Sequence, residues 1–333
     1  MKPGLLKAQE EVRRLAEKAG ADSLYVVTDS HVAALTEGFL QDTPRIIIEA
    51  GEENKSIASA EMIWAFLSDH GATRRSMIVN IGGGMVTDLG GFAAATFKRG
   101  IGYVNLATTL LGAVDASVGG KTGVNFNGLK NEIGAFRLPV ATLALTDLFS
   151  TLTREEWLSG CGEVLKTAIL YGEKLYRLAI SEAFIVRRES EVVREVVEKC
   201  RDFKLSVVMK DVEDRGIRRI LNFGHTYGHA LEALMMEKGR PLPHGIAVAH
   251  GIEYALRLGE ERNAPGSISA KDYREVLCKY FPEVELDAED DERLRQLMGH
   301  DKKNFRAGEP AFVLPEDIES YRNADSGFMP EPD

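Results

Sequence analysis

Met77-Ile-Val-Asn-Ile-Gly-Gly-Gly-Met-Val-Thr-Asp-Leu-Gly-Gly91 runs from a β-branched apolar stretch into a glycine turn and on to Phe92-Ala-Ala-Ala-Thr-Phe97. Strand, tight turn and helix in that order form the repeating unit of a wound α/β sheet. Glycines let backbone N–H groups approach an anion closely, and a helix N-terminus favours negative charge there. The turn therefore suits a pyrophosphate. The dinucleotide fingerprint is incomplete, because Gly82 and Gly84 fit but Thr87 stands where the third glycine belongs. Taken by itself, the motif does not separate a cofactor cradle from an ordinary turn.

Working outward, Leu24–Thr28, Arg45–Glu49, Tyr103–Leu106 and Thr142–Leu145 share the apolar, β-branched character of Met77–Ile81 and read as buried strands. Between them, Ile57 to His70 places Met62, Ile63, Phe66 and Leu67 on one helical face and stops at Gly71. The alternation predicts a largely parallel sheet whose ligands sit at the carboxyl edge. From about Thr151 the pattern changes. Thr153-Arg-Glu-Glu156 is a capping box, and Val193, Val196, Val197, Cys200 and Phe203 recur at helical spacing. Ala311–Leu314 is the one late strand-like run, and the tail from Asn323 reads as frayed. The expected fold is an N-terminal α/β Rossmann-like domain, residues 1–150, followed by an all-α C-terminal domain, residues 151–333.

Composition narrows the class. A chain of 333 residues favours two domains. Its net charge of −10, with no basic tract, argues against nucleic-acid binding. Three cysteines without paired spacing point to a reducing compartment and no thiolate metal site. No apolar run reaches the roughly 20 residues that span a bilayer, and the first residues lack a signal-peptide core. A cytoplasmic protein with no membrane partner is expected.

Chemistry concentrates in two places. Leu106–Phe136 mixes glycines and hydroxyls with Asp115, Lys121, Lys130 and Asn131, a composition suited to holding an anion. It is not a P-loop, because Asp115 occupies the position of that motif's first glycine. Asp29, at a strand end, and Glu52 with Lys55 fit ribose and adenine contacts, although for each considered singly a solvated turn residue is the better reading. The second place holds His225, His229 and His244, three of only seven histidines, each beside a glycine. His225 and His229 share a helical face at i, i+4, without the glutamate of a zinc protease. Together with Glu163 they make an imidazole–carboxylate metal site plausible, with a coordination position left open. Lys166, one turn beyond Glu163, faces the same way.

These residues resemble one family, the 3-dehydroquinate synthases among the sugar-phosphate cyclases. The motifs, in order, are Gly51-Glu-Glu-Asn-Lys55, Gly82-Gly-Gly-Met-Val-Thr-Asp88, Phe97-Lys-Arg-Gly100, Thr108-Thr-Leu-Leu111, Asp115-Ala-Ser-Val-Gly-Gly-Lys-Thr122, Lys130-Asn131, Glu163-Val-Leu-Lys166, the run from Arg218 to His229, His244-Gly245 and Asp301-Lys-Lys-Asn304. The resemblance spans Leu24 to Leu314. It implies NAD bound by Asp29, Glu52, Lys55, Gly83, Gly84, Asp88, Thr108, Thr109, Lys130 and Thr151. It implies Zn2+, with Co2+ as the alternative ion, on Glu163, His225 and His244. Asp115, Lys121, Lys166 and His229 become catalytic residues, and Asn131, Arg218, Asn222 and Lys302 or Lys303 substrate ligands. Arg99 would reach the phosphate in the other subunit of a homodimer.

The implied reaction takes 3-deoxy-D-arabino-heptulosonate 7-phosphate to 3-dehydroquinate and phosphate by oxidation with NAD, phosphate elimination, reduction and intramolecular aldol closure. The alternatives are another sugar-phosphate cyclase, or a metal-dependent NAD alcohol dehydrogenase of the glycerol dehydrogenase type. Arg218, Asn222 and His229 favour a substrate carboxylate, since a buried guanidinium without an anion is costly. Three positions depart from the family pattern. Ala107 replaces a proline, Ile246 replaces a glutamate, and Gly162 replaces an alanine at an expected helix cost of about 1 kcal/mol.

Overall fold

A computed structural model of the chain describes residues 2–264, 266–299 and 311–324. The polypeptide divides into two compact units, Met1–Leu152 and Thr153–Asp333.

In the first unit, β1 (Leu24–Asp29), β2 (Arg45–Ile48), β3 (Met77–Gly82), β4 (Gly102–Ala107) and, beyond a hairpin of β5 (Lys121–Phe126) and β6 (Leu129–Phe136), β7 (Ala141–Ala144) account for every strand among the described residues. The five outside the hairpin form one parallel sheet ordered β2-β1-β3-β4-β7. Successive side chains face opposite sides, so each side needs its own helical cover. On one side α1 (Pro3–Lys18) packs Leu5 and Val12 with Val26, Val79 and Val104. On the other, α3 (Ile57–Asp69) and α4 (Gly84–Thr96) pack Ile63, Leu67, Val86 and Leu89 with Tyr25, Val27, Ile78 and Tyr103. The short α2 (Ser30–Leu35) starts directly after β1. The direction of winding reverses between β1 and β3, and in such sheets the crevice beyond the carboxyl ends at that point takes the ligand.

The parallel strands and the Ser56-capped helix ending before Gly71 lie where their patterns predict. One expectation changes, and one segment gains a structure its composition does not announce. The anion-suited segment is not a single open loop, because its second half closes into the β5–β6 hairpin around Asn127 and Gly128, both with positive φ (49° and 76°). Asn-Gly in that conformation is a preferred two-residue hairpin turn. Ala311–Leu314 forms no strand; it leads into a terminal helix, and Thr226 Oγ1 donates to the Ala311 carbonyl at 2.6 Å.

The second unit is helical, as its periodicity predicts: α5 (Arg154–Tyr171), α6 (Glu173–Ala179), α7 (Glu182–Ile185), α8 (Ser190–Lys210), α9 (His225–Glu237), α10 (His244–Glu261), α11 (Ala270–Tyr280), α12 (Ala288–Gly299) and α13 (Pro315–Ala324). Thr153 and Glu156 form the capping box that starts α5, which is buried on all sides from Trp157 to Leu170. An all-round buried helix is the centre of its unit, and α10 lies against it. Gly162 and Gly245 make that approach possible. A Cβ on Gly162 would fall 1.8 Å from the Gly245 carbonyl oxygen, and one on Gly245 would fall 1.7 Å from that of Ser159. The glycine at 162, expected as a helix cost, is thus a packing contact.

Candidate active site

The first unit gathers the nucleotide-type residues at the carboxyl ends of β1, β3 and β4. Asp29 ends β1 and caps α2, its carboxylate accepting from the backbone N–H groups of His31 (2.9 Å) and Val32 (2.8 Å). Gly83 is the N-cap of α4, so the helix begins at once after β3 rather than at Phe92, and its N-terminus points into the turn. A Cβ on Gly83 would meet Thr109 Cγ2 at 3.1 Å, and one on Gly84 would meet Ala116 Cβ at 3.1 Å. The glycine turn therefore lies against the Thr108-Thr109 segment, whose Thr108 N–H donates to the Gly82 carbonyl. Thr109 Oγ1 accepts from the Gly112 N–H, opening the one-turn π-helix Gly112–Ala116 that carries Asp115. Such wide turns concentrate at functional sites. Thr151 closes the unit's last 3-10 turn, donating to the Leu148 carbonyl.

The third fingerprint glycine normally lets helix and strand pack closely. Here Gly90 has that part. A Cβ at Gly90 would lie 1.9 Å from Asn80 Oδ1, and the Asn80 amide donates to Asn105 Oδ1 at 2.9 Å. Asn105 in turn donates to the Ser117 carbonyl, bracing the end of the Asp115 turn from the sheet.

Lys55, buried at 3% exposure, ties several expected ligands together. Its Nζ lies 2.5 Å from Asp88 Oδ2, 2.6 Å from Asn131 Oδ1 and 3.8 Å from Glu52 Oε1. Burial alone would lower the lysine's pKa; Asp88, then Glu52, outweigh it and hold the amine above the ordinary lysine range. Asn125 completes the clasp. Its side chain donates to Glu52 Oε1 and accepts from the Asn131 N–H, and its own N–H donates to the Lys55 carbonyl. The hairpin bearing Lys121, Lys130 and Asn131 is thereby fixed to the Glu52–Lys55 turn. Lys121 and Lys130 are exposed. Arg99 is exposed too, with positive φ at Lys98 (49°) and Arg99 (69°), a conformation side chains avoid unless something fixes it.

The second unit brings Glu163, His225 and His244 together from α5, α9 and α10. Glu163 is fully buried, with Oε1 3.5 Å from His225 Nε2 and 3.3 Å from His244 Nε2. Its Oε2 meets Lys166 Nζ at 2.5 Å, a contact buried on both sides. Both ring orientations are fixed from behind. The carbonyl of Phe223 can only accept, so His225 Nδ1, 3.1 Å away, carries a proton. Glu232 Oε2 lies 3.1 Å from His244 Nδ1 in the same relation. Each imidazole then turns its Nε2 lone pair toward the carboxylate. Lone pairs and a carboxylate oxygen at that range repel unless a proton or a cation lies among them. Burial pulls the His244 pKa down, but hydrogen bonds with Glu163 and Glu232 prevail and carry it up to about 9. Surroundings that draw a second proton onto an imidazole also draw a cation, and the donor set suits a divalent ion of zinc type.

His229 joins the group, with ligand atoms of His225, His229 and His244 all within 4.8 Å of one another. Arg218 is buried in the 3-10 turn that ends at Asn222. Its backbone N–H donates to Asp211 Oδ2, as do those of Arg215 and Gly216 to the same carboxylate, and its Nη1 donates to the Val212 carbonyl. Lys302 and Lys303 lie outside the described residues. Motif reading does not find Glu232 or Asn125. Asn125 sits two residues before the Asn-Gly hairpin signal. Glu232 stands at i+7 from His225, and that spacing was the available sign.

The fold is that of the sugar-phosphate cyclases related to dehydroquinate synthase. A 2-deoxy-scyllo-inosose synthase complexed with carbaglucose-6-phosphate, NAD+ and Co2+ superposes with a TM-score of 0.76 at 23% identity, over 95% of this chain and 94% of that one. A 2-epi-5-epi-valiolone synthase from Streptomyces hygroscopicus with NAD+ and Zn2+ bound gives 0.74 at 23% identity, over 92% and 91%. The models of the 3-dehydroquinate synthase N-terminal and C-terminal regions match residues 45–159 and 160–304. The 3-dehydroquinate synthase of Parabacteroides distasonis is 40% identical over 85% of this chain and 82% of its own, and that of Thermococcus kodakarensis 42% over 74% and 70%. This chain belongs to the 3-dehydroquinate synthase family.

Proposed function

We propose that the chain converts 3-deoxy-D-arabino-heptulosonate 7-phosphate to 3-dehydroquinate and phosphate, with NAD and a divalent metal ion as cofactors. Family membership supports the reaction, and the convergence of Glu163, His225 and His244 is the observation that carries it. When bound, NAD accepts and later returns a hydride, and the cation lowers the pKa of a substrate hydroxyl. Glu52, Lys55, Asp88 and the Gly83–Gly84 turn, with Asp29, Thr108, Thr109, Lys130 and Thr151, bind the dinucleotide at the β1/β3 reversal. Glu163, His225 and His244 hold the cation, and His229 stands beside it as a substrate ligand.

The other residues of the chain bind and orient. The Arg218 guanidinium presents a planar fork that suits the substrate carboxylate, and Asn222 follows on the same turn. Lys121, Asn131 and Arg99 hold the phosphate end, with Asp115 and Lys166 on the ring hydroxyls. Fixing two anionic ends brings the reacting carbons into register for ring closure, a proximity effect. The chain acts as a homodimer in the cytoplasm, in which Arg99 serves the second subunit. Exposed Phe126, Leu129 and Phe136 on the hairpin supply apolar surface for that pairing, and no described helix is long and apolar enough to cross a membrane.

Phosphate release from the heptulosonate phosphate, set beside release from sedoheptulose 7-phosphate, tests the substrate. The carboxylate-bearing sugar is expected to react and the neutral one to be inert. The reverse would assign the chain to another cyclase reaction.

A further inference from the structure

We infer that Glu232 is a positioning residue for the metal centre: its carboxylate fixes the tautomer and orientation of His244 and thereby sets the affinity for the cation. The inference rests on the proposed metal site. His225, His229 and Glu232 stand at i, i+4 and i+7 on α9, so a single helical face presents all three. His244 comes from α10, and Glu232 Oε2 lies 3.1 Å from its Nδ1 while its Nε2 lies 3.3 Å from Glu163 Oε1. One helix thus supplies a ligand, His225, and the brace for the ligand of the next.

The arrangement has two chemical consequences. A proton shared between Nδ1 and a carboxylate leaves Nε2 as the donor atom and makes it more basic, which strengthens the bond to a cation. It also immobilises the ring before the ion arrives, so less rotational freedom is lost on binding. Behind His225 the observed Nδ1 partner is the carbonyl of Phe223. At His244 the observed Nδ1 partner is a charged carboxylate, so its donor strength depends on Glu232. Glu232 is itself largely covered, at 14% side-chain exposure, so water screens the pair only weakly.

The test compares the full-length wild-type protein with E232A and E232Q, each stripped with a chelator. Zinc affinity is measured by competition with a chromophoric chelator, and the visible spectrum is recorded after loading with Co2+. Replacement by alanine is expected to weaken zinc binding about 10–100-fold and to shift the cobalt ligand-field bands. Glutamine keeps an acceptor but no charge, and is expected to fall between alanine and the wild type. Melting of the stripped proteins separates this effect from a folding defect, and if E232A does not fold, E232Q carries the comparison. Unchanged zinc affinity and an unchanged cobalt spectrum in the folded variants would overturn the inference. Failure of the wild type to bind zinc, or wild-type zinc affinity in H225A, would instead overturn the metal-site reading beneath it.

Discussion

Gly162 in α5 stands so close to Gly245 in α10 that a Cβ would fall 1.8 Å from the Gly245 carbonyl oxygen. Each glycine is the chain neighbour of an expected ligand, Glu163 or His244. The contact therefore fixes how near two of the three side chains proposed to hold the cation stand. Helix propensity alone makes Gly162→Ala stabilising by about 1 kcal/mol. Overpacking against a backbone carbonyl costs about 1–3 kcal/mol, and no flexible side chain can yield here. Denaturant melts are expected to show net destabilisation, with weaker zinc retention. A variant more stable than the wild type would show that the helices adjust freely.

Lys55 gives a prediction with a defined pH dependence. Its folded pKa lies above the ordinary value, so its contribution is complete below the unfolded pKa of about 10.4 and disappears as pH rises through the folded one. Lys55→Met removes the buried ammonium that Asp88 and Glu52 face, and the variant is expected to be less stable than the wild type at neutral pH. Melting at neutral pH should show that loss, and NAD affinity should fall with it. Between the unfolded and folded pKa values the wild type should lose stability relative to the variant. Parallel alkaline profiles would contradict the clasp.

Lys121→Ala separates substrate binding from cofactor binding. The side chain is exposed on β5, and the Lys55 clasp that fixes the hairpin does not use it. Turnover is expected to fall by about 10²-fold or more, as for removal of a fixed electrostatic donor, while NAD affinity stays near the wild-type value. Unchanged turnover would remove Lys121 from the substrate site.

Loss of His244 should abolish metal retention. Elemental analysis of purified His244→Ala is expected to find little zinc where the wild type holds a stoichiometric complement. Full retention by the variant would show that His225 and His229, with Glu163, make the site without it.

Much of this was legible in the sequence, because buried parallel strands must be apolar and β-branched on both faces. Met77–Ile81 and its neighbours could hardly be anything else. Histidines are scarce enough in this chain that three beside glycines stood out. The hairpin is masked by its own chemistry, since Lys121, Lys130 and Asn131 surround the Asn127-Gly128 turn with ligand-type groups. Ala311–Leu314 misled because a short apolar run has no period of its own and needs a neighbouring strand to become one. Gly162 acts across helices, and a contact across helices leaves no mark in local spacing; for Glu232 the i+7 offset from His225 marks the shared face but not the contact with His244.

The most direct test of the central claim counts phosphate and 3-dehydroquinate formed per NAD, with the cofactor supplied in amounts far below the substrate and zinc present. The account predicts many turnovers of both products for each NAD, with no lasting rise in NADH absorbance. NADH accumulating in proportion to substrate oxidised, without phosphate release, would contradict it and mark the chain as a simple dehydrogenase.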